Sequence, residues 1–147
     1  MDLRTELQSV LHHEIPLTKD IGIRVDSCSS DRIVLRAPLE PNINHKCTAF
    51  GGSLYSVAVL CGWGFIYTQL KLNNLQGHIV IQHSEADYRV PVDGDIVASC
   101  DLTDSETLQR FITQYKKRGV ARLKLEVQIS FNNQEAVIFK GKYVVHH

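Results

Sequence analysis

The segment Cys47–Leu70 contains no charged residue, and this feature limits what the chain can fold into more than any other. A membrane span needs about 20 predominantly apolar residues, so the length alone is nearly sufficient. The segment nevertheless contains hydroxyl, amide and glycine residues throughout, and basic residues do not accumulate at one of its ends. A helix that is apolar on nearly all sides is typical of a buried position in a folded core. We therefore predict a long central helix from Gly52 to Leu72, and no membrane span.

The overall composition is that of an ordinary globular domain. The chain has 147 residues, of which 44% are hydrophobic and 22% are charged. Its 16 basic residues balance 16 acidic ones, so nothing indicates a surface for nucleic acid or for an anionic membrane. The short basic cluster Lys116–Arg118 fits an exposed loop or helix end, with a phosphate contact as the alternative. We expect one domain over residues 1–147.

The cysteines and the amino terminus bear on the cellular compartment. None of the 4 cysteines forms a Cys-x-x-Cys pair, which argues against a zinc site and against a dithiol redox motif. The amino-terminal residues carry charges throughout and lack the apolar run of a secretory signal. Free thiols without an export signal predict a cytoplasmic protein.

Hydrophobic periodicity before the central helix predicts a helix and then a hairpin. Asp2–His13 has apolar residues at helical spacing, and Pro16 ends that segment. Over Ile21–Val25 the period falls to two, which predicts a strand. A turn follows, and Arg32–Leu39 is the predicted returning strand. The polar loop Glu40–Phe50 then leads into the central helix.

The second half of the sequence is mostly predicted strand. A long β segment begins at His78 and ends at Pro91, and an Asp-Gly turn opens the next strand. Asp104–Gly119 begins with helix-capping residues, which predicts a short helix or a structured loop. Two further strands follow, Ala121–Phe131 and Glu135–Val145. Because these strands connect mainly by hairpins, we expect an antiparallel sheet wrapped around the central helix, an α+β architecture called the hotdog fold.

Two stretches of the sequence resemble hotdog-fold thioesterases. "NINHKCTAFGGSLYSVAVLCGWG", Asn42–Gly64, is similar to their loop and helix start, which typically contains an asparagine and then His-Gly-Gly. "EADYRVPVDGDIVA", Glu85–Ala98, resembles their strand-turn-strand segment. More narrowly, the first stretch is similar to the YiiD C-terminal thioesterase-like family. In that family the domain often follows an acetyltransferase domain, which this sequence lacks.

The resemblance implies an acyl-CoA or acyl-carrier-protein substrate, no metal and no cofactor. It also implies a homodimer, or a dimer of dimers, with sites between protomers. Asn44 falls at the asparagine of the family, and Gly51-Gly52 falls at its double glycine.

The sequence departs from the family pattern at two positions. Phe50 replaces the histidine that usually precedes the glycines, and Val59 lies near the usual place of a helix carboxylate. The chain has no acidic residue between Glu40 and Glu85. The usual base is therefore missing from its usual place.

The residues around the glycine pair are suited to thioester hydrolysis. The amides of Gly52 and Ser53 begin a helix, where they lack partners and lie at the positive end of its dipole, so we predict that they stabilise an oxyanion. Alternatively, the glycines only turn the chain into the helix. We predict His45 as the general base, since an imidazole can accept a proton near neutral pH. Asn44 is predicted to orient the water or the carbonyl, with closure of an Asx-turn as the alternative.

Several other residues remain candidates. Glu85 or Asp87 is the alternative base, reaching in from the next strand or from a partner subunit. Cys47 beside His45 is an alternative nucleophile, as are the serines Ser53 and Ser56. The predicted substrate contacts are Asn42, Phe50, Gly51, Ser84 and Glu85. The apolar positions of the helix are expected to be mostly core, with a few lining an acyl pocket: Leu54, Val57, Ala58, Cys61, Phe65 and Ile66.

Three functions fit these residues. The first is hydrolysis of an acyl thioester. The second is non-catalytic binding of acyl-pantetheine or a carrier protein, in an assembly with an acetyltransferase. The third is a dehydratase that uses a histidine and a carboxylate across a dimer.

Overall fold

Four α-helices and six strands form the structure, a computed structural model that describes residues 2–102 and 104–147. The helices are α1 Leu3–Glu14, α2 Leu17–Ile21, α3 Gly51–Leu72 and α4 Ser105–Arg118. The strands are β1 Arg24–Cys28, β2 Arg32–Ala37, β3 His78–Tyr88, β4 Ile96–Asp101, β5 Val120–Phe131 and β6 Gln134–His146. A short 3-10 turn, Glu40–Asn42, precedes the loop into α3.

The six strands join in one antiparallel sheet in the order β1-β2-β4-β5-β6-β3. Helix α3 packs on one face of the sheet and contacts every strand from β2 to β6. The predicted α+β hotdog architecture with one long central helix is confirmed. In the described part of the chain, β3 pairs with β6 on one side only, so its other edge is open.

The central helix is buried along most of its length because the sheet curves around it. The six apolar positions expected in the core are all buried: Leu54, Val57, Ala58, Cys61, Phe65 and Ile66. The Cys61 sulfur lies 3.7 Å from the carbonyl oxygen of Ile33 and 3.6 Å from that of Ala98, which places it against β2 and β4. Within residues 2–102 and 104–147, no helix combines the length and the apolarity that a membrane span requires.

Two glycines of α3 let neighbouring elements approach the helix closely. Tyr143 of β6 lies over Gly62, and its hydroxyl donates to the carbonyl of Val59 at 2.7 Å. A Cβ at Gly62 would overlap this phenol ring and its hydroxyl. A Cβ at Gly64 would lie 3.2 Å from the end of the Leu7 side chain of α1 and 3.9 Å from a methyl group of Ile33. The sheet is therefore fixed against the helix at Gly62, whereas α1 rests more loosely on Gly64.

The predicted strand over Ile21–Val25 is wrong at its start. Pro16 begins a second short helix, α2, and Gly22 ends that helix with a φ of 81°. Strand β1 begins only at Arg24. Ile21 is buried, as predicted, but it belongs to the last turn of a helix and not to a strand. The alternating apolar residues identified the buried positions, and the proline and glycine changed the backbone that carries them.

The segment predicted as a short helix or a structured loop is helix α4. The Asp104 carboxylate caps it by accepting from the amides of Glu106 and Thr107. The basic cluster Lys116–Arg118 forms its last turn, where cations interact favourably with the helix dipole. The helix-end interpretation of that cluster is therefore confirmed.

We predict opposite effects on stability for the same substitution at the two α3 glycines. Gly62→Ala should lower the free energy of unfolding by about 1–3 kcal/mol, because the new methyl group overpacks against Tyr143. Gly64→Ala is the matched control and should change it by about 1 kcal/mol or less, because the gain in helix propensity offsets the contact with Leu7. Urea unfolding of both variants measures the difference. Equal stability of the two would contradict the close approach at Gly62.

Candidate active site

Asn42 anchors the polar loop to the body of the protein. Its side chain is buried, and its amide nitrogen donates to the carbonyls of Ile21 at 2.9 Å and Pro38 at 2.7 Å. Its backbone carbonyl accepts from the amide of Phe50 at 2.7 Å. Both hydrogens of the side-chain amide are therefore engaged within the protein. Predicted as a substrate contact, Asn42 lies where it holds the two ends of the loop together.

Asn44 closes a tight turn and presents His45 at its tip. The Asn44 side-chain oxygen accepts from the amides of Lys46 at 2.9 Å and Thr48 at 3.1 Å, the pattern of an Asx-turn. Its nitrogen donates to the Thr48 hydroxyl at 3.0 Å. His45 is exposed, and no hydrogen bond within the described residues involves its ring. Asn44 therefore shapes the turn that carries the predicted base.

Helix α3 starts without a side-chain cap. Asp2 caps α1 and Asp104 caps α4, but the residue at this position of α3 is Phe50, whose side chain accepts no hydrogen bond. No acceptor among residues 2–102 and 104–147 bonds the amides of Gly51 and Gly52. The positive end of a 22-residue helix thus presents two free donors to solvent.

The second predicted oxyanion donor is engaged elsewhere. The amide of Ser53 donates to the Phe50 carbonyl at 2.9 Å, as the first bond of the helix. The amide of Gly51, adjacent to that of Gly52, has no acceptor within the described residues. The two free amides at the helix start are therefore those of Gly51 and Gly52, whereas the amide of Ser53 is used in the first hydrogen bond of the helix.

Three hydroxyl groups line the other side of the helix start. Tyr88 of β3 donates to the Gly51 carbonyl at 3.3 Å. The hydroxyls of Tyr55 and Ser84 are hydrogen-bonded to each other. Partial burial of the phenol raises the pKa of Tyr88, so the hydroxyl keeps its proton at neutral pH. Ser84 was a predicted contact, whereas the sequence reasoning missed Tyr55 and Tyr88. Two features of the sequence could have indicated them. Tyr55 lies one helical turn after the glycines, and Tyr88 lies in the stretch Glu85–Ala98 that resembles hotdog-fold thioesterases.

A β-bulge decides which residues of β3 face the helix. The register with β6 shifts between Ile81 and His83. Strict alternation from Ile81 would direct Glu85 and Asp87 toward α3. The extra residue directs Ser84, Ala86 and Tyr88 there instead.

Glu85 and Asp87 therefore lie on the face of the sheet away from α3. Glu85 is exposed, pairs with Lys140 in register, and lines an open depression of about 480 Å³ with Lys124 and Lys142. The Asp87 carboxylate accepts from Arg89 at 2.9 Å. The structure does not bring either alternative base to the Gly52 amide within the chain.

The alternative nucleophiles are not activated by a neighbouring base. Cys47 is exposed, with a φ of 63°, and its thiol makes no hydrogen bond to His45 in the described chain. The Ser56 hydroxyl donates to the Gly52 carbonyl at 2.9 Å inside the helix. Across residues 2–102 and 104–147, no three His, Cys, Asp or Glu side chains are grouped as a metal site would require.

Exposed aromatic side chains border the free amides. Phe50 lies against Gly52 and Tyr88 lies against Gly51, and they expose 57% and 51% of their surfaces, although large apolar residues are usually less exposed. The partly buried row Tyr55, Val59, Trp63 and Tyr67 continues along α3 at four-residue spacing. The site therefore joins two hydrogen-bond donors to an apolar strip.

We predict that Asn42 stabilises the fold, whereas His45 does not. Asn42→Leu should lower the free energy of unfolding by about 2 kcal/mol, because the carbonyls of Ile21 and Pro38 lose their donor. His45→Ala is the control and should change it by about 0.5 kcal/mol or less, since the side chain is exposed. Thermal and urea unfolding report both values. If Asn42→Leu is as stable as the wild type but binds substrate more weakly, Asn42 is a substrate contact, as the sequence predicts.

Comparison with known proteins identifies the family of this chain. Residues 4–147 match the family described as "Putative thioesterase (yiiD_Cterm)". A solved structure of a protein of unknown function from Chlorobaculum tepidum TLS is 33% identical, with a TM-score of 0.92 over 98% of this chain and 94% of that chain. A Shewanella oneidensis protein described as a "putative thioesterase" is 32% identical, with a TM-score of 0.86 over 99% of this chain and 98% of that one.

A third solved structure extends the same likeness. It is a Pseudomonas aeruginosa protein described as a "probable thioesterase", 25% identical, with a TM-score of 0.82 over 99% of this chain and 97% of that chain. The family match covers nearly the whole sequence, including the polar loop, the glycine pair and β3. The chain belongs to the YiiD C-terminal family of thioesterase-like proteins.

Proposed function

We propose that this protein hydrolyses acyl thioesters of CoA or of a carrier protein. The observation that carries the proposal is the uncapped start of α3, where Gly51 and Gly52 present free amides beside an apolar strip. Family membership supports the same reaction class. Gly52 has no Cβ, and the Phe50 ring lies in the space that a Cβ would occupy, so an apolar surface lies directly beside the amides.

In the proposed reaction the thioester carbonyl oxygen accepts from the Gly52 amide, with Gly51 as the second donor. Such a donor contributes about 3 kcal/mol once negative charge develops on that oxygen. His45 takes a proton from a water molecule as the water oxygen bonds to the carbonyl carbon. The tetrahedral intermediate then breaks its C–S bond, and the thiolate takes the proton from His45. The products are a carboxylic acid and a free thiol.

Asn44 acts through His45 in this scheme. Its side chain accepts from the amides of Lys46 and Thr48 and donates to the Thr48 hydroxyl. It therefore stabilises the turn that carries His45 and does not bind the reacting water. Phe50 and Ser84 border the space where the acyl group would lie. No step requires a metal or a cofactor, and the proposed setting is the cytoplasm.

We further infer that two copies complete the site. The outer edge of β3 carries 11 residues without a strand partner in the described chain, and long free edges invite pairing. The row of Tyr55, Val59, Trp63 and Tyr67 is also only partly buried in a single copy. A homodimer that pairs the β3 edges would cover both, and it would allow a partner carboxylate to approach the site.

A specific observation favours non-catalytic binding as the second candidate. The chain has no acidic residue between Glu40 and Glu85, and His45 has no bonding partner in the described structure to orient it. A domain with amides and an apolar strip but no oriented base would bind acyl-pantetheine without turnover. Measurement of turnover separates the two candidates.

We predict that the protein releases free thiol from acyl-CoA thioesters, and that His45 is required. The test uses CoA esters of graded chain length and a colorimetric thiol assay. His45→Ala should lower kcat by about 100-fold, because a positioned general base contributes at least that factor. His13→Ala is the control, since His13 is exposed on α1 and should leave kcat unchanged. No release from any ester, with binding retained, would establish the non-catalytic candidate.

We also predict that the Gly52 amide stabilises the transition state. Gly52→Pro removes this N–H near the helix start, where it serves no helical bond. Gly52→Ala is the matched control, because it places a Cβ against Phe50 as proline does but keeps the N–H. The proline variant should have a kcat about 100-fold lower than that of the alanine variant. Equal kcat values in two folded variants would remove Gly52 from the oxyanion site.

A further inference from the structure

The hydroxyl pair of Tyr55 and Ser84 lies beside the candidate active site and takes no part in the hydrolysis. Tyr55 is one helical turn after Gly51, and Ser84 is on the face of β3 that meets α3. We propose that this pair selects acyl groups that carry a neutral oxygen, such as a 3-hydroxyl, close to the thioester. The inference rests on the proposed thioesterase function and adds the class of acyl group.

Counting hydrogens shows that the pair has bonding capacity left over. Each hydroxyl has one hydrogen and two lone pairs, and the bond between the two oxygens uses one of the two hydrogens. Neither oxygen has a further partner among residues 2–102 and 104–147. Ser84 lies opposite Gly141 of β6, which has no side chain to accept a bond. One hydrogen and several lone pairs therefore remain for a ligand.

The position of the pair fits a group near the reacting carbonyl. Residues Gly51, Tyr55, Val59 and Trp63 follow one another at four-residue spacing on the least buried side of α3. An acyl chain whose carbonyl lies at the glycine amides reaches the Tyr55 hydroxyl before the apolar Val59 and Trp63. The pair is thus the polar point between the amides and the apolar strip.

The chemistry of the pair favours a neutral partner over a charged one. The Tyr55 ring packs edge-on against Phe139, with ring centres 5.6 Å apart, so its surroundings on that side are apolar. The bulge directs the neighbouring Glu85 to the other face of the sheet. An ammonium group would find no counter-charge from these residues, whereas a hydroxyl or keto oxygen can both bond and remain neutral.

The test compares two CoA esters of equal chain length, one with a 3-hydroxyl and one without. The wild type should show a kcat/KM about tenfold higher for the hydroxylated ester, the value of one hydrogen bond. Tyr55→Phe and Ser84→Ala should each bring this ratio toward one. Tyr67→Phe is the matched control on the same side of α3 and should keep the wild-type ratio. Thermal unfolding verifies that the variants are folded.

Several outcomes would overturn the inference. Equal kcat/KM for the two esters in the wild type would do so, as would a preference that survives both variants. An equal loss on both esters in the variants would assign the pair to the pantetheine arm, which both esters share.

Selection of the acyl group and hydrolysis of the thioester can be tested separately. Two non-hydrolysable CoA thioethers, with and without the hydroxyl, measure selection by calorimetry in the absence of turnover. Tighter binding of the hydroxylated thioether without thiol release would support selection and overturn hydrolysis. Equal affinities would overturn selection. An enoyl product would replace the hydrolase with a dehydratase and support binding of the hydroxyl.

Discussion

The contact of Tyr143 with Gly62 sets how the sheet meets the central helix. The phenol is fully buried and donates to the Val59 carbonyl, which satisfies a polar group that would otherwise cost about 1–3 kcal/mol. Burial raises the pKa of Tyr143, so the hydroxyl keeps its proton and its bond at every physiological pH. Tyr143 also pairs with Ile81 of β3 in register. The same residue therefore positions β6, and through it β3, relative to α3.

The burial of α3 explains why its start can remain uncapped. A side-chain cap contributes about 1 kcal/mol, which is decisive for an exposed helix. Full burial of a large apolar side chain contributes about 1.5–3 kcal/mol, and α3 buries several, including Phe65, Ile66 and Leu70. The helix therefore forms without a cap. Helices α1 and α4 are less apolar, and aspartate caps begin both.

The sequence predicted the parts of the site that depend on local structure. The charge-free segment predicted α3, and the glycine pair predicted its start, because both signals lie within a few residues of the feature. The roles of Asn42 and Ser53 were less accessible. Asn42 bonds to Ile21 and Pro38 across a fold that no local pattern contains. Ser53 loses its free amide because α3 begins one residue earlier than predicted, at Gly51.

The hydroxyl groups of the site depend on long-range register, which sequence periodicity does not determine. Tyr55 meets Ser84, and Gly51 meets Tyr88, only because β3 lies in one register against β6. Alternation from Ile79 and Ile81 predicts the opposite face for every residue after the bulge. Because of the extra residue in the strand, the side chains of Ser84, Ala86 and Tyr88 face α3, and the carboxylates of Glu85 and Asp87 face away from it.

This arrangement of β3 has a chemical consequence for the free amides. A carboxylate beside an uncapped helix start would accept from those amides and occupy them, because anions bind at helix amino termini. Tyr55, Ser84 and Tyr88 are neutral hydroxyls, and the one that reaches the helix start donates to a carbonyl and leaves the amides free. Within one chain, the free amides of the proposed oxyanion site are thus incompatible with a carboxylate base at the helix start. The proposed reaction accommodates this by using an imidazole from the loop.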